Sequence, residues 1–256
     1  MERLFFEVPG IGRKKDAVAY IREFHAFGSA INGTGGLNRY LDDYEGWLEK
    51  LNADYSREPD EEKVPARTYF LVREGDGRIV GMINIRLALN ERLRRYGGHI
   101  GYSIRPTERG KGYNKINLYL GLKVCARYGI ESVLLDADLD NPASWRTMEA
   151  LGGVRVREYF DDREARCTVV DYRIDVKKAL AEHPGFEEMI LWDEAVDADY
   201  VFVEKLAFGD PFRITAVKDE DELLALLSAR PDYTVEDGEP APVVYKNTER
   251  IGELKQ

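Results

Sequence analysis

Residues 98–129, GHIGYSIRPTERGKGYNKINLYLGLKVCARYG, constrain the fold more than any other part of the chain. A β-rich run at 98–105 passes through a loop with glycines at 110 and 112 into a helix over 113–128, whose apolar positions Ile116, Leu118, Leu120, Leu122 and Val124 leave few polar sides. Such a helix is expected to be buried. A strand running straight into a glycine-rich turn and a helix stacks consecutive backbone N–H groups at the helix N-terminus, which forms an anion cradle. Gly110 and Gly112 let the backbone approach a phosphate without a Cβ in the way, and Arg109 and Lys111 add positive charge. One helix-end contact contributes only about 0.3 to 1 kcal/mol, so holding a pyrophosphate needs several N–H donors and a cation together. From spacing alone, a phosphate loop and a solvated basic turn both remain open.

Around this segment the patterns alternate. Residues 16–28 put Val18, Ile21, Phe24 and His25 at helical spacing, and 37–53 repeat it with Leu37, Leu41, Tyr44, Trp47, Leu48 and Leu51. The glycine-rich loop 28–36 separates these helices, and a polar connection follows at 54–65. A hairpin is expected from 67–74 and 78–87 across Gly75-Asp76-Gly77. Downstream come a strand at 131–138, a helix at 142–151 opened by Pro142 and closed by Gly152-Gly153, and strands at 153–160 and 165–176 about Asp161-Asp162. The order predicts an α/β (α+β) fold, a mixed sheet covered by helices on both faces, over 1–178. Residues 179–256 read as a small α+β appendage. Its expected parts are a hairpin over 200–217 with an apolar face, turned at Gly209-Asp210-Pro211, a helix near 219–229 and a Pro/Gly-rich end. That appendage is expected to shape the substrate side of any site on the body or a homodimer interface.

Composition excludes several classes. No apolar run reaches the roughly 20 residues that span a bilayer, and the start lacks a cleavage site after an apolar core, so a cytoplasmic protein with no membrane partner is expected. Cys125 and Cys167 share no ligand spacing and His25, His99 and His183 are scattered, so no metal site is expected. The formal charge of −10 argues against nucleic-acid binding, which needs a basic face. It is compatible with a cationic substrate and equally with a solubilising surface.

The run Arg109-x-x-Gly112-x-Asn114 resembles the pyrophosphate loop, R/Q-x-x-G-x-G/A, of the GNAT (general N-acetyltransferase) superfamily. Ile104-Arg105-Pro106 resembles the end of that family's fourth strand. Asp138-Leu139-Asp140-Asn141 with Ser144 is similar to its strand-end Asn and following helix, which lie against the pantetheine arm. The resemblance spans residues 3–176. It implies an N-acyltransferase that binds acetyl-CoA through Arg109, Gly110, Lys111, Gly112, Tyr113, Asn114, Asn141 and Ser144. Backbone groups at Tyr102 and Ile104 would serve the thioester carbonyl and the pantetheine. The chain departs at Asn114, where the family has a small residue, and at Met148, where many members carry a Tyr that protonates the leaving thiolate. A methionine donates no proton, so Tyr113, Tyr119, Tyr159 or solvent would do so.

The implied reaction is direct attack of an amine on the thioester in a ternary complex, which needs the amine neutral. Asp136 and Asp138 lie two apart on a strand and therefore on one face. Asp136 stands where ribosomal-protein alanine acetyltransferases hold a glutamate base. The pair could equally cap the next helix or bind arginine. His99 is the other candidate base, or a histidine satisfied inside the sheet. Tyr40, Tyr44 and Trp47 share a helical stripe in the region that forms part of the family's acceptor wall, and read as substrate contacts or as core. The acceptor expected is a small cationic amine. A protein N-terminus or lysine, and a CoA-binding sensor without turnover, are the alternatives.

Overall fold

Most helices and strands of the body bury one or both faces, β6 (Val154–Asp161) being the exposed exception. The computed structural model describes residues 2–55, 57, 59–162, 166–192, 200–205, 211–217, 220–229, 233–236, 243–246 and 249–253. The apolar runs at 67–87 become β2 (Ala66–Arg73) and β3 (Ile79–Arg86), paired antiparallel. They are buried along most of their length because helices lie on both sides, which explains why the run is continuous rather than alternating. On one side, α1 (Lys14–Ala26) and α2 (Tyr44–Tyr55) contribute Tyr20, Ile21, Phe24, Tyr44 and Trp47 to a cluster with Phe70, Val72 and Met82. On the other, α4 (Tyr113–Arg127) packs so closely that its Gly121 meets Ile83 and Ile85.

The first sheet runs β1-β2-β3-β4, with β1 at Leu4–Glu7 and β4 at Ile100–Ile104; the second runs β5-β7-β6, with β5 at Ser132–Asp138, β6 at Val154–Asp161 and β7 at Cys167–Asp175. All these pairings are antiparallel. A short helix α3 (Glu91–Arg95), capped by Asn90 on the Leu93 N–H, precedes β4, and α5 (Pro142–Glu149) follows β5. Neither β1 nor α3 was legible as an element, both being a single short turn or strand. The second helix starts later than its periodicity suggests: Asp43 accepts from the Gly46 N–H and stops the helix there, so Tyr40 lies outside it, after the short 3-10 turn Leu37–Arg39.

The ladder parity sets the site. Arg86 donates to the His99 carbonyl and Arg105 to the Val80 carbonyl, so the hydrogen-bonded pairs of β3 and β4 fall at 86/99, 84/101, 82/103 and 80/105. The alternate residues Ile100, Tyr102 and Ile104 turn their backbone groups away from β3. In the second sheet Val176 donates to the Glu131 carbonyl and Leu139 to that of Thr168, so the even residues of β5 turn theirs away from β7. These two free edges are tied where His99 donates its N–H to the Leu134 carbonyl at 2.7 Å and its Nδ1 accepts the Leu134 N–H at 3.0 Å.

The chain divides into two compact units, Met1–Trp192 and Asp193–Gln256. Residues 179–192, assigned by sequence to the appendage, fall in the first. The helix α6 (Val176–Glu182) and the turn Pro184–Met189 belong there because Glu187 accepts from the Tyr119 hydroxyl and Lys123, and Leu191 donates to the Leu4 carbonyl. In the second unit β8 (Tyr200–Lys205) pairs with β9 (Pro211–Val217), α7 spans Glu220–Ser228, and β10 (Tyr233–Glu236), β11 (Val243–Lys246) and β12 (Glu249–Glu253) form a three-stranded antiparallel sheet. The hairpin turn at Gly209-Asp210 and the side chains of the expected apolar face lie outside the described residues, as do residues 163–165 after Asp162. Among the described residues no helix is long and apolar enough to cross a membrane.

Because the first unit closes its own core, a fragment ending at Trp192 is expected to unfold cooperatively in denaturant. A fragment ending at residue 178 loses Glu187, leaves Lys123 and the half-buried end of Tyr119 without it, and should unfold at least about 1 kcal/mol sooner. Equal stability of the two fragments would contradict this boundary.

Candidate active site

The glycine loop, the free edge of β4 and the start of α5 converge on one cleft of about 510 Å³. Gly112 sits at φ 81°, the left-handed region, as N-cap of α4, and nothing lies within 4 Å of where a Cβ would project there or at Gly110. The loop therefore presents bare backbone to open space at the positive end of a 15-residue helix. Of the residues expected at the cofactor, Tyr102, Ile104, Arg109, Gly110, Gly112, Tyr113, Asn114, Asn141 and Ser144 line the cleft.

Lys111 does not line it. Its ammonium turns to Glu108, 2.8 Å away, and Glu108 also holds Arg73 at 2.8 Å and Arg78 at 3.2 Å. Burial works against the Glu108 charge, but hydrogen bonds from Lys111 and Arg73 keep its carboxyl below the usual range. Arg109 is the loop cation at the cleft: its guanidinium spans the mouth, bonding the Ile104 carbonyl at 3.3 Å and the Ser29 hydroxyl at 2.8 Å, over the Phe24 ring.

Within the cleft a polar network joins β4, α4 and α5. Thr147 donates its hydroxyl proton to the Ala143 carbonyl at 2.8 Å, so it must accept from the Asn114 Nδ2 at 3.1 Å. That fixes the Asn114 amide and leaves its Oδ1 buried without a donor. The Tyr102 hydroxyl lies 3.0 Å from the Ser144 Oγ, and burial pushes it up to about 12. Asn141 opens α5 without spending its side chain as a cap. The Tyr102 hydroxyl and Thr147 were missed by the sequence reading, because β-parity decides that Tyr102 faces α5 and parity is not visible in one strand. The Tyr113 ring lines the cleft while its hydroxyl goes to Glu2.

The loop 28–36, not the aromatic stripe, lines the cleft. Ser29, Ala30 and Asn32 line the cleft, the Asn32 carbonyl accepts from the Ser103 hydroxyl at 2.6 Å, and Gly33 at φ 72° lies against β4 with no room for a side chain. A Cβ at Gly33 would stand 2.4 Å from the Gly101 oxygen. Tyr44 and Trp47 are fully buried instead, the tyrosine hydroxyl on the Gly10 carbonyl and the indole on that of Gly35, and Tyr40 packs against the same core. Pulling a buried aromatic of this size out to meet a ligand would cost roughly 3 to 5 kcal/mol, which decides for core.

The candidate bases separate. His99 is buried and used as the tie between sheets. Asp138 is exposed at the strand end, where its Oδ1 accepts from the Cys167 thiol at 3.3 Å. Tyr119 is spent on Glu187, and Tyr159 lies on β6, pushed up to about 12 by burial. Asp136 shares neither fate. It projects from the face of β5 opposite Leu135, whose neighbour Tyr172 reaches α5, and its Oδ2 accepts the Gly97 N–H at 2.9 Å. Burial raises its carboxyl above the ordinary value, against the pull of Gly97 and Arg86.

Comparison with known proteins follows this geometry. Residues 37–152 match the model of the Acetyltransferase (GNAT) family. Among solved structures the chain is similar to a chimera of the Vibrio cholerae spermidine N-acetyltransferase SpeG with hSSAT (TM-score 0.52, 16% identity, 70% of this chain and 98% of that one). It is also similar to the dodecameric Vibrio cholerae spermidine N-acetyltransferase (0.51, 14%, 71% and 98%). A third likeness is to the microcin C7 self-immunity acetyltransferase MccE in complex with acetyl-CoA and AMP (0.52, 14%, 68% and 92%). At these identities the likeness speaks for fold. Comparison with curated proteins finds no match.

Two outcomes follow from the site's packing. Gly33→Ala should destabilise the protein by at least about 2 kcal/mol in denaturant, from the left-handed backbone and the clash with β4; an unchanged midpoint would mean the loop does not rest there. For Asp136, a raised native proton affinity stabilises the fold fully below the ordinary carboxylate range and is lost as pH rises through the raised value. Asp136→Asn keeps an acceptor for Gly97, so it should raise the melting temperature at pH 7 and leave it nearly unchanged at pH 3; a fall at pH 7 would contradict the burial argument. The family match, the fold and the glycine cradle agree on residues 37–152, which form a domain of the acetyltransferase (GNAT) family.

Proposed function

We propose that the protein transfers the acetyl group of acetyl-CoA to a primary amine, a small cation, by direct attack. The observation that carries this reading is the cleft itself, in which an anion cradle and a free strand edge meet. The residues present fit acetyl-CoA. The bare N–H groups from Gly110 to Asn114 suit a pyrophosphate, with Arg109 as the cation. Pairing of the pantetheine arm with the Ile104 carbonyl requires Arg109 to release it.

The free N–H of Tyr102 is placed to polarise the thioester carbonyl. An amine of pKa about 10.4 costs about 4 to 5 kcal/mol to deprotonate at pH 7, so a base is needed on the acceptor face, and Asp136 is the carboxylate raised in that direction. The ammonium gives one proton to Asp136, the nitrogen bonds the carbonyl carbon, the C–S bond breaks, and the second nitrogen proton leaves with the thiolate or to water. The carboxylates on this face and the charge of −10 favour a cationic acceptor.

Isothermal titration with acetyl-CoA tests the cradle. Gly112→Val, which cannot hold φ 81° cheaply, should weaken binding by at least about tenfold while the fold persists. Undiminished binding would move the pyrophosphate elsewhere. Asp136→Asn should lower turnover of a primary amine about 100-fold at pH 7 and recover towards the parent near pH 10. An equal rate at both pH values removes Asp136 from the chemistry, and binding with no turnover on any amine favours a CoA-binding module.

A further inference from the structure

Asp136 does not stand alone. Its register partner on β7 is Asp171, and the parity set by Val176 and Leu139 makes 136/171 a pair without backbone bonds between the two residues. In such pairs the Cβ atoms are closest, roughly 4.5 to 5.5 Å apart. Two carboxylates directly opposite destabilise a sheet unless something compensates. Asp171 is 3% exposed; its Oδ2 accepts from the Arg157 Nε at 2.6 Å, and its Oδ1 is buried with no donor. An ionised carboxylate with a buried, unsatisfied oxygen facing a second carboxylate is costly, and a proton held between the two removes both penalties.

We infer that Asp136 and Asp171 titrate as one coupled pair, in which Asp171 is a positioning residue that readies Asp136 to take up a proton near neutral pH. The inference rests on the acyl-transfer reading above, which assigns Asp136 as base. Two like charges this close cannot ionise independently: the first proton leaves easily and the second is held. That second proton is the one removed from the incoming ammonium, and it passes to solvent when the pair ionises again.

The surroundings set the balance. From β3, Arg86 faces Asp136, its guanidinium held by the Gly97 and Gly98 carbonyls at 2.8 Å. From β6, Arg157 bonds Asp171 and the Arg95 carbonyl, and lies 4.1 Å over the Tyr159 ring, which in turn packs edge-on to Tyr96. Asp138 lies two residues along β5, and Arg173 is opposite Leu134 on the same face. Three arginines thus stand against three carboxylates on this face, and Arg173 bonds the Ser132 hydroxyl at 3.3 Å. Burial raises the proton affinity of Asp171 as it does that of Asp136, with Asp136 adding to it.

The pair is tested first without any acceptor. In the full-length protein labelled with carboxyl-¹³C aspartate, and assigned with D136N and D171N, both resonances should share one two-step titration whose upper step lies at least about one pH unit above the ordinary carboxylate value near 3.9. Independent single steps near that value would overturn the inference. With acetyl-CoA and 1,4-diaminobutane, the acid limb of kcat/KM should move down by about one unit in Asp171→Asn, which removes the opposing charge, and up by a similar amount in Arg157→Gln, which removes the compensating one. If both variants merely lose activity with the limb fixed, Asp171 is a structural anchor for Arg157 and the inference fails. Should the resonances couple as expected while Asp136→Asn keeps its full rate at pH 7, the pair stands and the base assignment falls.

Discussion

The hydrogen-bond parity of β4 governs the site. With Arg86 on His99 and Arg105 on Val80, every second residue of β4 turns its backbone toward the gap before β5. A slip by one residue would aim Gly101 and Ser103 into the gap and throw the Tyr102 ring to the α1 side. The contacts that pin the register come from α1 and the loop after it: the Tyr20 hydroxyl on the Ser103 carbonyl, the Ser103 hydroxyl on Asn32, and the tight approach of Gly33. The loop that lines the cleft is therefore also the clamp on the strand whose free edge faces it.

Charge at the glycine loop is spent differently from what its composition suggests. Lys111, Arg73 and Arg78 converge on Glu108, a carboxylate almost wholly removed from water, and this buried cluster fixes the turn before the helix. Removing one member of such a cluster costs more than the cluster contributes as a whole, so its value is positional. What remains for an anion is the row of N–H groups, the helix dipole and Arg109. The asparagine at 114, an oddity for such a loop, has a local partner: its amide donates to Thr147 on α5 and ties the loop to that helix.

How much could be read from the sequence follows from how local each signal is. The cradle was legible because strand, glycine turn and helix start are contiguous in residues 98–114, and the helices and hairpins of the body were legible from their periods. The stripe Tyr40, Tyr44, Trp47 misled because a 3.6-residue period reports burial and is silent on what does the burying; here Asp43 also cuts Tyr40 out of the helix. His99 could not be resolved between base and sheet residue without knowing that Leu134 stands beside it. Asp171 carried no signal at all, since its relation to Asp136 exists only across a ladder 35 residues apart in sequence, a distance no local pattern crosses.

The methionine at 148 raises the question of what protonates the leaving thiolate, and the proton affinities in the site answer it. Met148 is buried at 1% exposure and offers no proton. The hydroxyl nearest in role, Tyr102, is pushed up to about 12, so handing its proton to a thiolate of pKa about 8.5 is uphill by roughly 5 kcal/mol. Tyr102 is then a hydrogen-bond donor that keeps its proton. A thiolate of that affinity leaves without an acid's help and picks up a proton from water, whereas an ammonium near 10.4 does not lose one unaided. In the proposed reaction the burden of catalysis falls on the amine side, for which Asp136 is the candidate whose carboxyl burial raises above its ordinary value.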